Sequence, residues 1–169
     1  MTALDRAGTP GEQVRSDAVA RVRAALAAAG VEARVVEFAE STRTARDAAR
    51  AVGTSIGQIV KSLTFLADGR PVLVLASGAN RVDTAKVARL AGAARVEKAT
   101  ADATREATGF SIGGVPPVGH RTALPVYVDA ALLAYDVVYA AAGTPHAVFP
   151  IEPSALVRVT AGTVGDIAE

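Results

Sequence analysis

Apolar residues recur at helical spacing in some stretches and in continuous runs in others, which predicts a mixture of helices and strands. The first helical pattern covers residues 19–26; Ser16 and Asp17 are candidate N-caps, and Gly30 follows the expected end. Shorter helices are predicted over residues 45–52, 83–92, 100–108 and 153–159, and directly after Asp129.

Runs rich in aliphatic and β-branched residues predict strands between these helices. They cover residues 31–38, 58–66, 71–77, 125–128, 137–142 and 147–151. Asp68 and Gly69 separate two of the runs and predict a tight hairpin, because both turn positions require positive φ. We therefore expect an α+β fold: a single domain with a mixed, curved β-sheet flanked by helices.

The first fourteen residues carry charges, Gly and Pro without apolar periodicity. We expect residues 1–14 to form a flexible leader and residues 15–169 to form the domain. The leader lacks the apolar core of a signal peptide, and no apolar run approaches the ~20 residues of a membrane span. A cytoplasmic location, without membrane contact, is the expectation.

Charge and cysteine content narrow the possible functions. The chain has 18 basic and 17 acidic residues, so its net charge of +1 excludes a broadly basic nucleic-acid protein but allows a local basic patch. The absence of cysteine excludes disulfides, a thiolate nucleophile and thiolate metal sites. The two histidines are too few for a histidine-rich metal centre, and we expect neither metal nor cofactor.

Lys61 lies within an apolar strand pattern. Alternation places its side chain on the same face as Ile59, Leu63 and Phe65. A lysine in such a row is costly unless its ammonium reaches water or a partner. Two interpretations stay open: the side chain extends to solvent at a sheet rim, or it serves a functional site.

A second candidate feature is the Gly/Pro-rich segment 113–119, within a loop predicted over residues 111–120. Glycines allow a ligand to approach the backbone, and prolines make the loop rigid. Clusters of this kind are also common in simple turns, and the spacing matches no nucleotide-phosphate loop. A ligand-binding loop and a structural turn are both compatible with the pattern.

The two histidines and two basic clusters are weaker candidates. His120 closes the Gly/Pro loop and His146 lies in a turn over residues 143–146; neither has a recognisable triad or metal-ligand partner in the sequence. Arginines at 43, 46 and 50, and basic residues between 81 and 98, could contact phosphates. Solvated helix faces are favoured instead, because no aromatic residues interleave with these charges.

Several segments carry a family resemblance through their order and spacing. They are the run Gln-Ile-Val-Lys-Ser-Leu at 58–63, the hairpin at 68–69, residues 81–83 with Lys86, and residues 108–110, 113–119, 128–129 and 141–143. From about residue 19 to residues 165–168 the chain resembles the YbaK/EbsC/ProX family of aminoacyl-tRNA deacylases, also called the prolyl-tRNA synthetase-associated editing domain.

The resemblance implies hydrolysis of the ester that joins a wrong amino acid to the 3′ end of a tRNA. Such editing is needed because a synthetase pocket separates side chains that differ by one methylene by only ~1–3 kcal/mol. The implied catalytic residue is Lys61. The implied substrate-binding residues are Phe38, Thr44, Gly113, Gly114, Val115, Pro117, Gly119, His120, Gly143, Thr144 and His146.

Two departures from the YbaK branch concern substrate choice. The Gly-Lys-Arg-Gly turn of that branch is Gly-Thr-Pro-His here, at residues 143–146, without the acidic residue that follows it there. The tyrosine near the first strand is matched by Phe38. Both changes are expected to make the pocket less polar, so specificity for cysteinyl-tRNA does not follow from the resemblance.

The expected partner is the acceptor end of a mischarged tRNA, bound weakly and in a salt-sensitive manner, with a synthetase or elongation factor as a possible delivery partner and without DNA. The chain is expected to act in trans as a free-standing enzyme. A non-catalytic module that binds tRNA ends or a synthetase is the alternative, and a small-molecule binding protein that uses the same pocket is a third.

Overall fold

Five α-helices and eight strands are formed by residues 8–169, which are the residues that the computed structural model describes. The helices are α1 (Pro10–Ala28), α2 (Ala45–Val52), α3 (Thr84–Ala91), α4 (Ala101–Thr108) and α5 (Pro153–Thr160). The strands are β1 (Val36–Glu37), β2 (Ile59–Ala67), β3 (Arg70–Ser77), β4 (Val96–Lys98), β5 (Val126–Asp129), β6 (Val138–Ala141), β7 (Ala147–Ile151) and β8 (Thr163–Gly165). Two short 3₁₀ helices cover Ile56–Gln58 and Ala130–Ala134.

All eight strands belong to one mixed sheet. Seven follow the order β1-β7-β6-β2-β3-β5-β8, and β4 pairs separately with β2. The β2–β3, β2–β4, β6–β7 and β1–β7 pairs are antiparallel, while β2–β6, β3–β5 and β5–β8 are parallel. The predicted single domain with a mixed sheet flanked by helices is confirmed.

The β2–β3 hairpin forms the centre of the sheet and turns where the sequence predicts. Asp68 and Gly69 have φ values of 48° and 82°, as a two-residue turn of this hand requires. The Asp68 carboxylate also accepts hydrogen bonds from the backbone N–H groups of Ala94 and Arg95, at 3.0 and 2.9 Å. These bonds lower the pKa of Asp68 and hold the start of β4 beside β2.

Strand β2 is fully paired on one side only. Its register with β3 runs from Val60↔Ser77 to Ala67↔Arg70. On the other side, β6 pairs with Ile59 and Val60, and β4 pairs with residues 65–67. Within the described residues no strand pairs with residues 61–64 on this side, so the sheet has a gap at the middle of its central strand.

Two apolar clusters cover opposite faces of the sheet. Leu73 and Leu75 of β3 pack with Val22 and Leu26 of α1 on one face. The alternate residues Val72 and Val74 pack with α3 on the other face. Because alternate residues of β3 face different layers, both faces of the central strands are buried.

The predicted leader is wrong for residues 10–14, which belong to α1. Thr9 caps this helix: its hydroxyl accepts from the Glu12 N–H, and the Glu12 carboxylate accepts from the Thr9 N–H. This capping box, with Pro10 in the first turn, begins the helix well before Ser16. Residues 1–7 lie outside the described residues.

The Gly/Pro loop is packed tightly against the turn at residues 143–146. A Cβ at Gly114 would lie 2.7 Å from the Cα of Thr144, closer than carbon atoms approach without strain. Both segments also rest on α1: a Cβ at Gly119 would lie 3.3 Å from the Arg21 carbonyl, and one at Gly143 would lie 2.9 Å from the Ala18 carbonyl. These glycines are therefore required for packing.

Gly114→Ala tests this packing. We expect it to lower the free energy of unfolding by roughly 1–3 kcal/mol, because the methyl group meets the backbone of Thr144. Gly11→Ala is the matched control, because a Cβ there meets nothing within 4 Å and the site is helical. Denaturant unfolding measures both; equal stability of the two variants would contradict the packing described.

Candidate active site

A cavity of about 340 Å³ opens at the gap beside β2. Residues 61–64, which no described strand pairs on this side, contribute to its wall, together with the ends of the two strands that flank the gap, Ala140–Ala141 of β6 and Lys98 of β4. The rest of the wall comes from the start of β2, from β6 and β7, from the residue after β4, from the loop before α2, from α2, from α4 and from the Gly/Pro loop. Those remaining residues are Thr42, Arg43, Thr44, Ala45, Ala48, Ile59, Val60, Ala99, Thr104, Ile112, Gly113, Val115, Tyr139 and Val148.

The wall of this cavity is mainly apolar and built from small side chains. Ala48, Ala99 and Ala140 are buried and line it, which leaves room between the strand and the helices. Ile59 and Val148 add larger apolar side chains to it. A cavity of this kind suits a small apolar group, with polar contacts limited to a few positions.

Two of these polar positions are hydroxyl groups on β2. Ser62 Oγ and Thr64 Oγ1 are buried and have no hydrogen-bond partner among the described residues. Their strand positions, two residues apart, place them on the same face of β2. Buried hydroxyls normally find partners, so this pair is unusual, but neither oxygen is exposed to the cavity.

Lys61 lines the cavity with its side chain half-buried. Its ammonium group donates a hydrogen bond to the backbone carbonyl of Asn80, in the turn that follows β3. An ammonium has three donors, so two remain for other partners. The lysine in the apolar row is thus held by a specific acceptor while its donors are only partly used.

A buried carboxylate, Asp129, organises the turn that holds Lys61. It is 2% exposed and accepts from the Ser77 N–H at 3.1 Å, from Asn80 Nδ2 at 3.0 Å and from the Ala131 N–H at 3.0 Å. Asn80 therefore donates to Asp129 through its side chain while its carbonyl accepts from Lys61. The carboxylate fixes the position of the acceptor.

Burial lowers the pKa of Lys61 below the usual value for lysine, because the charged form is desolvated. The negative charge of Asp129 opposes this shift, and the positive charge of Arg81 adds to it. The pKa of Lys61 is lower in the folded chain than in the unfolded chain. At a pH between these two pKa values, the unfolded chain therefore binds more protons. Stability therefore rises with pH across that alkaline interval.

The comparisons with known proteins decide the family. The model of the aminoacyl-tRNA editing domain matches residues 39–159, which include the cavity and Lys61. The chain belongs to this family. Membership makes it an aminoacyl-tRNA hydrolase, and it confirms the resemblance noted in the sequence.

Individual relatives agree with the family. A crystal structure of a candidate trans-editing enzyme for prolyl-tRNA synthetase superposes with a TM-score of 0.85 at 49% identity, over 90% of this chain and 97% of that chain. EbsC of Enterococcus faecalis, named as a candidate Cys-tRNA(Pro)/Cys-tRNA(Cys) deacylase, is 27% identical over 78% of this chain and 82% of its own. The proline–tRNA ligase of Bacillus licheniformis is 37% identical over 63% of this chain, which spans 19% of that ligase.

The cavity of the editing domain brings together four of the twelve residues that the sequence singled out: Thr44, Lys61, Gly113 and Val115. The other eight do not line it. These are Phe38, Gly114, Pro117, Gly119, His120, Gly143, Thr144 and His146.

The turn at residues 143–146 does not line the cavity but is hydrogen-bonded to a residue of its wall. Thr42 lines the cavity and donates to the Pro145 carbonyl from both its N–H, at 2.6 Å, and its hydroxyl, at 3.1 Å. Phe38 N–H donates to the His146 carbonyl at 2.7 Å. The substitutions at Phe38 and in this turn therefore lie outside the wall, and the expected decrease in pocket polarity does not arise from them.

Both histidines make local contacts instead of lining the cavity. His120 Nε2 lies 2.7 Å from the Pro116 carbonyl, and its ring packs edge-on against Phe110. Burial lowers the pKa of His120, which favours the neutral ring. His146 Nδ1 lies 3.2 Å from the Glu40 carbonyl. These contacts give each ring a structural role.

Sequence reasoning did not assign several lining residues. Arg43 and Lys98 were noted only as members of basic clusters, and Tyr139, Ile112 and Thr104 were not singled out. The hairpin pairing alone gives no indication that β4 ends beside β2.

Among residues 8–169 no group of three potential metal ligands lies together, and no helix has the length and apolar character to cross a membrane.

Asp129→Asn tests the electrostatic coupling to Lys61. Loss of the negative charge is expected to lower the pKa of Lys61 further, because burial and Arg81 then act unopposed. The chain has only three lysines, so ¹³C-dimethylated lysine signals followed by NMR across alkaline pH can be assigned by substitution. Asp136→Asn, an exposed carboxylate, is the charge-matched control and should leave the Lys61 signal unchanged. A Lys61 titration identical in both variants would contradict the coupling.

Proposed function

We propose that this editing domain is a free-standing trans-editing deacylase that removes a small, wrongly attached amino acid from the 3′ end of a tRNA. The observation that carries the proposal is the single cavity lined by both Lys61 and the Gly/Pro loop. Lys61 supplies positive charge, and the loop brings backbone groups to the same wall through Gly113. The two features expected to act on an ester therefore lie beside one space.

The proposed reaction is hydrolysis of a carboxylic ester. Water attacks the carbonyl carbon, the bond from that carbon to the ribose oxygen breaks, and the ribose oxygen takes up a proton. The products are the free amino acid and the uncharged tRNA. Lys61, through the donors that Asn80 does not use, stabilises negative charge that develops on the carbonyl oxygen, together with the backbone N–H group of Gly113.

The water need not be activated by a protein side chain. No Asp, Glu or His is among the described lining residues, so this part of the wall offers no carboxylate or imidazole as a general base. A ribose hydroxyl of the substrate beside the ester can orient the water instead. This role of the substrate fits a site whose charged lining groups are all cations.

The edited amino acid is inferred from the wall. Buried alanines leave space for a small side chain. The tRNA for proline is the leading candidate, because one relative is named as a trans-editing enzyme for prolyl-tRNA synthetase and another is a proline–tRNA ligase. A synthetase or elongation factor could deliver the tRNA in the cytoplasm.

Lys61→Met tests the catalytic role. It is expected to reduce deacylation by about 100-fold or more, because the main positive charge at the carbonyl oxygen is lost, while the fold is retained. The assay follows release of labelled amino acid from a panel of tRNAs mischarged with Ala, Ser, Thr or Cys. Lys86→Met is the matched control, because that lysine pairs with Asp166 outside the cavity.

The same panel separates the enzyme from the alternatives. Release by the wild type that Lys61→Met abolishes supports the deacylase. Binding of tRNA without release of any amino acid would instead favour the non-catalytic binding module. Unchanged turnover by Lys61→Met would reject the role given to this lysine.

A further inference from the structure

Three cations surround the cavity and no carboxylate accompanies them among its described lining residues. Lys61 lies in the wall, while the side chains of Arg43 and Lys98 belong to exposed residues. The whole chain has a net charge of only +1, so this is a local concentration of positive charge. The field at the opening favours an anion.

Some cations elsewhere on the surface are neutralised by carboxylates. Arg95 pairs with Glu97 at 3.2 Å, and Lys86 pairs with Asp166 at 2.9 Å. In residues 8–169, neither Arg43 nor Lys98 has a carboxylate within ion-pair distance. Their charges are not neutralised within the described part of the chain and are available to a ligand.

Arg43 and Lys98 reach the cavity from different elements. Lys98 pairs with Phe65 of β2, so alternation places it on the face that also carries Lys61, four residues along the strand. Arg43 precedes α2 and packs on the Gly/Pro loop, because a Cβ at Gly113 would lie 2.6 Å from its Cγ. The cations therefore approach the opening from two separate segments.

We propose that Arg43 and Lys98 bind backbone phosphates of the single-stranded 3′ end of the tRNA while its terminal aminoacyl ester occupies the cavity. This inference rests on the proposed function and adds the contact that distinguishes an RNA-linked ester from a free one. Arginine and lysine both bind phosphate well, arginine through a planar fork and lysine as a compact charge. These contacts position the strand without selecting its sequence.

The test compares two substrates that carry the same ester. Arg43→Gln/Lys98→Gln is assayed on mischarged tRNA and on the corresponding 3′-aminoacyl-adenosine, which has no phosphate. The ratio of the two kcat/KM values, tRNA over adenosine, is expected to fall about tenfold, mainly through KM for the tRNA. The salt dependence of tRNA binding should also weaken, by about 0.7 in log–log slope for each lost contact.

Arg70→Gln/Arg95→Gln is the control, because it removes two exposed cations, one in β3 and one directly before β4, that lie outside the cavity lining. An unchanged substrate ratio in the Arg43/Lys98 variant, or the same fall in the control, would overturn the proposal.

A binding measurement keeps the inference separate from the proposed function. An RNA minihelix that carries no amino acid and ends in a single-stranded 3′ tail is titrated against wild type, Lys61→Met and the Arg43/Lys98 variant. Binding should weaken about tenfold in the Arg43/Lys98 variant and much less in Lys61→Met. If the wild type hydrolyses no ester, the proposed function fails while this titration still decides the phosphate contacts. Equal minihelix binding by all three proteins would contradict them.

Discussion

The incomplete pairing of β2 is the constraint on which the site depends. Because β6 ends its pairing at Val60 and β4 begins at Phe65, the central strand keeps an open edge in the middle of an otherwise continuous sheet. The cavity occupies this opening, and helices and loops close around it. Extending either flanking strand along β2 would fill this cavity.

The same opening explains how a lysine can be held in an apolar strand. The ammonium of Lys61 reaches a backbone carbonyl in the turn after β3, and the buried Asp129 fixes that turn. Burial disfavours the charged form of Lys61 and so lowers its pKa, and the nearby carboxylate of Asp129 opposes this shift. In the proposed reaction, the donors of this ammonium that Asn80 does not use stabilise the ester carbonyl oxygen.

The sequence was informative where local chemistry decides structure. The Asp68–Gly69 hairpin followed from residue type, and Lys61 was identified because its charge conflicts with its strand pattern. Pairing between distant segments was not accessible in the same way: β4 and β8 are three residues each, and neither stands out by periodicity. The glycines of the Gly/Pro loop were predicted as ligand contacts, yet Gly114 serves packing, since only the folded chain brings Thr144 against it.

A crystal structure with a non-hydrolysable amide analogue of 3′-aminoacyl-adenosine tests the central claim most directly. The account predicts that the analogue enters the cavity beside β2, with its carbonyl oxygen within hydrogen-bond distance of Lys61 Nζ and the adenosine toward the opening near Arg43 and Lys98. An analogue bound elsewhere on the protein, or one in the cavity with its carbonyl directed away from Lys61, would contradict it.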